Sequence, residues 1–451
     1  MRLIARFAQE KKEFFEVITV YDEDILKEQL DKKTPTLISI AKEYPAASWF
    51  ERKIRDDFGI KILDTVDERP LVKQEHFPAN IFPMRKDFIA KSITPNEKHS
   101  SKERSSLNML IGPTHPYHLE SSQFKLVQRD EKILDFEFKP FQKHRGIEKM
   151  LEGLSLEGAR EIVERISASD SVAYQMAFLD IELQASKKTL PEVIKKRHLF
   201  LLELERIINH LTALAVICQE VHFDGGAEFL NRHMTLGRKA MKTLTTSRFG
   251  FSSVRVDSDF SDREEVYEFL LCLEKELPNF EQWILKRKKI LKQTLGLGVV
   301  SREKVIEYGL VGLMARCVDV GLDRRHKNNV FLNHGYCINR EEKGDTFSRF
   351  TIRISEIFTS LRMMRSLVEN NILPFFLGTP IDGEYYSYVE SSAGELMMYI
   401  SLKDGLIERF FLRDPTFLNA QVLASCIKNS NVSDLSLMIK SIPLNISAID
   451  L

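Results

Sequence analysis

His115 and His118 flank a proline in the block GPTHPYHLE, and two imidazoles in one short loop can hold or move protons near neutral pH. Glu120, in the same block, and the distant Glu395 are candidate members of a proton route, although surface and capping positions are the commoner fate of a carboxylate. A second constellation is Ser167-Ala168-Ser169-Asp170, where a break in helical pattern exposes short polar side chains. Read locally, Ser169 or Asp170 caps a helix that starts at Ser171. His144, Arg145, Glu148 and Lys149 form a compact charged set, either a solvated face or a contact. Glu203, Arg206 and His210 recur at i, i+3, i+7. Such a stripe is either solvated or, if buried, in need of mutual pairing. Asp345 with Arg349 and Arg353 with Glu356 are spaced to pair within one helix, each pair contributing about 0.2–0.5 kcal/mol.

Thiolate chemistry is closed off by spacing. The five cysteines, at 218, 272, 317, 337 and 426, include no C-x-x-C pair, and no two lie closer than 20 residues. That argues against a disulfide framework, a structural zinc site and a self-contained iron–sulfur site. No nucleophile elbow, phosphate-binding loop, dinucleotide glycine fingerprint or H-E-x-x-H is present.

The elements that must position these groups divide the 451 residues in two. Residues 91 to 108, with five serines, no aromatics and only Ile93 and Leu107 as large apolar residues, read as a linker. It separates an N-terminal α+β module, 1–90, from a larger body, 109–451, sizes compatible with separate cores. In the first module, Phe14–Asp22 and Thr36–Tyr44 read as strands, and ILKEQLDKK between them as a helix. Trp49, Phe50, Ile54 and Phe58 then recur at helical spacing before Gly59. The body opens with a hairpin turning at Arg129-Asp130-Glu131. Helical periods follow from Gly153, again from Glu264 to Gln293 and from Ser348 to Asn371. Strand character returns over residues 383–413. The expected fold class is α+β: a small N-terminal domain, a linker, and a body with a central helix bundle and flanking antiparallel β segments.

Composition excludes several classes of function. Lys plus Arg and Asp plus Glu each number 65, so there is no basic excess to displace counterions, and no nucleic-acid partner is expected. The most apolar stretch, Leu199 to Ile217, carries Glu203, Glu205, Arg206, Asn209 and His210, so no direct membrane span is expected. MRLIARFAQEKKEFF meets charges too early for a secretory apolar region, which points to a cytoplasmic protein.

One set of blocks resembles a known family. SWFERKIRDDFGIKI, DERPLV and FPMRKDF are similar to the small hydrophilic subunit of respiratory complex I and membrane-bound hydrogenases. GPTHP, KHRGIEKMLEG, ELERIINHL, YGLVGLMAR, GDTFSRFTIRISEI, GEYYSYVESSAGEL and RDPTFLNAQVL follow in order. These resemble the large subunit shared by energy-converting (group 4) nickel–iron hydrogenases and complex I. The two are fused as in formate-hydrogenlyase-type large subunits, and the resemblance covers nearly the whole chain. It implies a peripheral-arm large subunit of a membrane-associated, ion-translocating oxidoreductase, held at the cytoplasmic face of the inner membrane through its partners. Those partners would be a small subunit carrying a 4Fe–4S cluster, contacted through His144, Arg145, Glu148 and Lys149, and antiporter-like membrane subunits.

Hydrogenases of this kind hang nickel and iron on two C-x-x-C pairs, soft thiolates suiting those metals. Here Ser167 and Asp170 occupy the first pair's positions, and Asn445 and Ala448 the second's. The resemblance therefore implies a vacated cofactor cavity, with no metal or other cofactor bound by this chain. Complex I relatives use that cavity for a quinone headgroup, with a tyrosine in the first loop and a histidine in the loop of the GPTHP block. Ala168 stands where the tyrosine would fall, and no tyrosine lies between Tyr117 and Tyr174. The readings left open are a redox subunit of the hydrogenase type, a quinone-site subunit, and a non-catalytic scaffold or coupling subunit.

Overall fold

The computed structural model describes residues 1–74, 77–89, 108–115, 120–255, 264–367 and 375–451. Residues 91–107 of the expected linker, and His118, lie outside these; Asn108 already belongs to a strand.

Alternating apolar residues build a three-stranded antiparallel sheet from β1 (Leu3–Glu10), β2 (Phe14–Tyr21) and β3 (Ile25–Asp31), with Phe7 opposite Ile18. The helix expected over ILKEQLDKK is thus strand β3. Its residues are mostly exposed, so no apolar stripe is available to hold a helix down, whereas pairing with β2 satisfies its backbone. The strand expected over Thr36–Tyr44 shrinks to β4 (Thr36–Ile38), because Glu43 and Tyr44 turn back to the carbonyl of Ile40. The apolar period at Trp49, Phe50, Ile54 and Phe58 gives α1 (Ala47–Phe58), packed on the sheet, and β5 (Lys61–Leu63) returns parallel to β4. Gly59 ends the helix at φ 69°, donating to the carbonyl of Arg55; a Cβ there would stand 2.6 Å from Phe82.

The body begins with the antiparallel sheet β6 (Asn108–Ile111), β7 (Gln123–Arg129) and β8 (Lys132–Lys139), whose hairpin turns where the sequence places it. Short helices α2 (Ile147–Leu151) and α3 (Leu156–Val163) lead into the bundle. That bundle comprises α4 (Ser171–Ala185), α5 (Glu192–Glu220), α6 (Asp224–Thr245) and α7 (Glu264–Leu285). After α8 (Lys288–Thr294), α9 (Arg302–Glu307), α10 (Leu313–Arg316) and α11 (Asn329–Asn333), the bundle is completed by α12 (Thr346–Ser366). A meander of β9 (Gly383–Glu390), β10 (Glu395–Lys403) and β11 (Leu406–Arg413) follows, then α13 (Pro415–Asn419), α14 (Leu423–Ile427), α15 (Leu435–Ser441) and α16 (Ile446–Ile449). The architecture is the α+β arrangement expected, an N-terminal sheet domain before a helical body with flanking antiparallel sheets.

N-terminal module and body share a core. Phe7 stacks on Phe411 at 4.2 Å and Phe50 on Phe417 at 4.6 Å, while Arg409 and Arg413 of β11 donate to the carbonyls of Ala8 and Ile4. The pairs expected inside α12 do not form. Asp345 caps the helix at Ser348 N, Arg349 and Arg353 bind Ser441, and Glu356 faces other helices. Each side chain takes the partner that tertiary packing buries it against.

Candidate functional site

Two segments far apart in sequence are bonded together at the start of α4. Ser167 Oγ donates to Asn445 Oδ1 at 3.0 Å, and Asn445 Nδ2 donates to Asp170 Oδ2 at 2.8 Å and Ser169 Oγ at 3.1 Å. Ser169 and Ser392 also donate to the Asp170 carboxyl, and Asn209 of α5 ties the carbonyl of Ser169 to Ser392. Ala168 lies half-buried in this loop and Ala448 is buried in α16. The donor set is hydroxyl, amide and carboxyl, hard groups unlike the soft thiolates that nickel and iron take in hydrogenases. The residues do not fit that centre.

Asp170 is not the helix cap that local reading assigns, because its carboxyl turns to Ser169, Ser392 and Asn445. The first amides of α4 are instead met by Glu205 of α5, which accepts from Val172 N at 2.7 Å and Ala173 N at 3.2 Å. Beside Asp170, Tyr174 donates its hydroxyl to Asp414 Oδ2 at 2.9 Å. Burial, and next the neighbouring Asp170 charge, push the Asp414 carboxyl up to about 6 and that of Glu205 well above its usual range. Burial also raises Asp170 itself against three hydrogen bonds that lower it. Asp170, Asp414 and Glu205 thus form a buried run of carboxyls whose hold on protons is strengthened by burial.

The charged set at 144–149 points inward more than sequence suggested. Arg145 and Gly146 donate backbone amides to the carbonyls of Asp450 and Leu451, at 2.8 and 2.9 Å. The Arg145 guanidinium bonds the carbonyls of Ile166 and Ser447 at 2.7 and 2.5 Å, clamping both segments of the site. Glu148 is buried between Arg409 (2.9 Å) and Lys53 (3.5 Å), which in turn pairs with Asp57 at 2.7 Å. Burial pushes the His144 imidazole down to about 3, so it is neutral at physiological pH. Lys149 donates to the carbonyl of Arg85 and pairs with Glu152, both at 2.9 Å. Among these four residues Arg145 is the exposed one.

His115 meets Ser122 Oγ at 2.9 Å and lies against Phe124. Glu120 pairs with Lys143 at 3.9 Å, and its charge reaches Asp450. Glu395 is not part of this group. It is buried among Arg2, Arg324 and Arg413, whose charges hold its carboxyl down at about 2 against the cost of burial. A carboxylate so held carries no proton near neutral pH, and its contacts tie β10 to Arg413 of β11, to Arg324 and to Arg2.

A buried ion cluster was not legible as a site. Arg316 contacts Asp323 (2.9 Å), Glu390 (2.9 Å) and Glu356 (2.5 Å), and Glu356 accepts from His210 at 2.8 Å. Arg206 pairs with Glu203, and Arg325 with Asp323 and Glu203, so the stripe on α5 is buried and paired. Three guanidiniums face four carboxylates, and burial with the Asp323 charge pushes Glu390 up to about 7. Glu390 and Arg325 also line a cavity of about 260 Å³, together with apolar residues such as Met176, Leu179 and Phe331 and polar ones such as Asp180, Lys195 and His198. The sequence signals were lone charges inside apolar runs, Arg316 in YGLVGLMAR and Glu390 in YYSYVESS. Sequence reasoning also missed Asn209, Ser392, Glu205, Tyr174 and Asp414.

Comparison with known proteins accounts for this architecture. Residues 4–94 match the family described as respiratory-chain NADH dehydrogenase, 30 Kd subunit, and residues 236–374 and 377–451 the 49 Kd subunit of the same enzyme. The chain is thus a fusion of a 30 kDa-type and a 49 kDa-type complex I domain. Its relatives include formate hydrogenlyase subunit 5 of Escherichia coli K12, 26% identical across 92% of this chain and 77% of that protein. Hydrogenase-4 component G of the same strain is 26% identical across 93% of this chain and 76% of its own length. An NADH-quinone oxidoreductase subunit of Dehalococcoides mccartyi strain 195 is 29% identical, covering 75% of this chain and 97% of its own. The fold matches a chain of the membrane-bound sulfane sulfur reductase, an archaeal respiratory membrane complex, with TM-score 0.70 and 17% identity over 76% of this chain and 98% of that one. Among the described residues no helix is long and apolar enough to cross a membrane.

Proposed function

We propose that this chain is the peripheral-arm large subunit of a membrane-associated, ion-translocating oxidoreductase complex in which the nickel–iron site has been vacated. The observation that carries the reading is the bonding of Ser167 and Asp170 to Asn445, oxygen and amide groups where homologous hydrogenases are expected to place thiolates. Relatives named as parts of formate hydrogenlyase, hydrogenase-4 and NADH-quinone oxidoreductase support the assignment to such a complex. Electrons would arrive from a 4Fe–4S cluster in a small partner protein bound near the exposed Arg145. Antiporter-like subunits would hold the assembly at the cytoplasmic face of the membrane, and this chain would bind no metal centre of its own at the vacated site.

The second reading is reduction of a quinone or another small acceptor at that site. It is favoured by Asp414, hydrogen-bonded to Tyr174 and titrating near 6, because a two-electron acceptor needs protons as it is reduced. A non-catalytic scaffold is the outcome if no acceptor is reduced. The test is isolation of the native complex, identification of its chains, metal analysis and assay of acceptor reduction. An iron–sulfur subunit and no stoichiometric nickel are expected. Nickel near one equivalent per chain overturns the vacated site, and a complex without an iron–sulfur subunit overturns the electron route.

A further inference from the structure

On helices α6 and α7, three side chains of different chemistry come together. His233 of α6 and Cys272 and Glu276 of α7 present ligand atoms that all lie within 4.8 Å of one another. His233 Nε2 is 3.1 Å from Glu276 Oε2, and Cys272 Sγ is 3.5 Å from Glu276 Oε1. A tetrahedral zinc ion with bonds of about 2.0–2.3 Å holds its ligands about 3.3–3.8 Å apart, so the group needs only small side-chain adjustments to close on a metal. Cys272 and Glu276 are i, i+4 neighbours and share a helix face.

The platform beneath them is rigid. His233 lies one turn from Phe229, which stacks on Phe280 of α7 at 4.8 Å, and one turn from Gly237. A Cβ at Gly237 would stand 2.8 Å from Ile208 and 3.2 Å from Phe269, so α6 packs against α5 and α7 there without room for a side chain. The imidazole is fully buried with Nδ1 unpartnered, which leaves Nε2 as the ring atom turned to the group. Cys272 and Glu276 are half-buried, so a fourth position opens to solvent.

A cation already occupies the space. Arg232 Nη2 bridges His233 Nε2, at 3.2 Å, and the Glu276 carboxylate, while its own side chain is 54% exposed. The guanidinium therefore sits where an imidazole lone pair and a carboxylate converge, and it is free to swing into water. We infer that His233, Cys272 and Glu276 form a binding site for a thiophilic divalent metal such as zinc, with Arg232 as the group it displaces. Mixed imidazole, thiolate and carboxylate donors suit zinc or cobalt better than magnesium or calcium. On binding, the Cys272 thiol releases its proton to solvent as the sulfur–metal bond forms, with no change of oxidation state.

Cobalt titration of the full chain, first stripped with a chelator, tests the site. One Co²⁺ per chain with a near-ultraviolet thiolate-to-cobalt band is expected. Cys272→Ala should abolish the band and weaken binding by at least about tenfold, and Glu276→Gln should weaken it by about tenfold. Cys337→Ala, which removes the exposed thiol, should leave band and affinity unchanged. Arg232→Gln should tighten binding several-fold. Absence of the band in wild type, its survival in Cys272→Ala, its loss in Cys337→Ala, or unchanged or weaker binding in Arg232→Gln would overturn the inference.

Discussion

Asn445 Nδ2 stands 2.8 Å from Asp170 Oδ2, so one amide bridges positions 275 residues apart and closes the segment around α16 onto the loop before α4. The same amide oxygen accepts from Ser167 and Ser447. Asn445→Ala removes all of these bonds and leaves the buried Asp170 carboxyl one donor short. An unsatisfied buried group costs about 1–3 kcal/mol, so the urea midpoint should fall accordingly. An unchanged midpoint would sink the idea that this amide holds the two segments together.

Asp450 gives a pH dependence with a definite sign. Burial raises its carboxyl from 3.8 to about 7, so the folded chain keeps a proton that the unfolded chain releases. The contribution is full below about pH 3.8 and is lost as pH rises through about 7. Asp450→Asn should therefore match wild type near pH 4 and exceed it at pH 8 by more than about 1 kcal/mol. Glu395, held near 2, works the other way, its contribution being lost as pH falls from 4.5 toward 2. Unfolding midpoints across pH 4 to 8 decide the matter, and equal slopes for variant and wild type would refute the assignment.

Arg316 is the hub of the buried ion cluster. Replacing it with Met leaves Glu356 and Glu390 without their nearest guanidinium, and breaking such a pair costs about 3–5 kcal/mol. Adding Glu356→Gln to Arg316→Met should recover part of that loss, because one stranded charge is removed. A double variant no more stable than the single one would show that the cluster is not energetically coupled.

Arg145 separates a clamp from a docking contact. Arg145→Glu turns a donor of two carbonyl bonds into an acceptor, which loosens the site and reverses charge at the proposed iron–sulfur contact. A desolvated contact should lose about 2–5 kcal/mol and a solvated rim less than about 1 kcal/mol. Recovery of the iron–sulfur subunit by wild type and variant, with folding checked by circular dichroism, reads the difference. Undiminished recovery would leave Arg145 as an internal clamp only.

Periodicity alone determined α1, the β7–β8 hairpin, α4, α5, α12 and the β9–β11 meander, because apolar spacing reports which face of an element meets the core. It failed where that spacing is diluted. The stripe of α6 is interrupted by His233 and Gly237, and β3 is an exposed edge whose pairing with β2 prevails over a weak helical preference. The family blocks likewise named Ser167, Asp170, Asn445 and Ala448 one by one from the sequence. Tertiary structure alone decided what those residues do. Asp170 gave up the helix cap to Glu205 from a neighbouring helix, Glu148 found Lys53 and Arg409, and the stripe of Glu203, Arg206 and His210 was buried by Glu356, Arg316 and Arg325. The backbone's preferences are local and repeat along the chain. A buried polar side chain must be satisfied by whichever groups the fold brings within about 3 Å, and those lie beyond the reach of any local pattern.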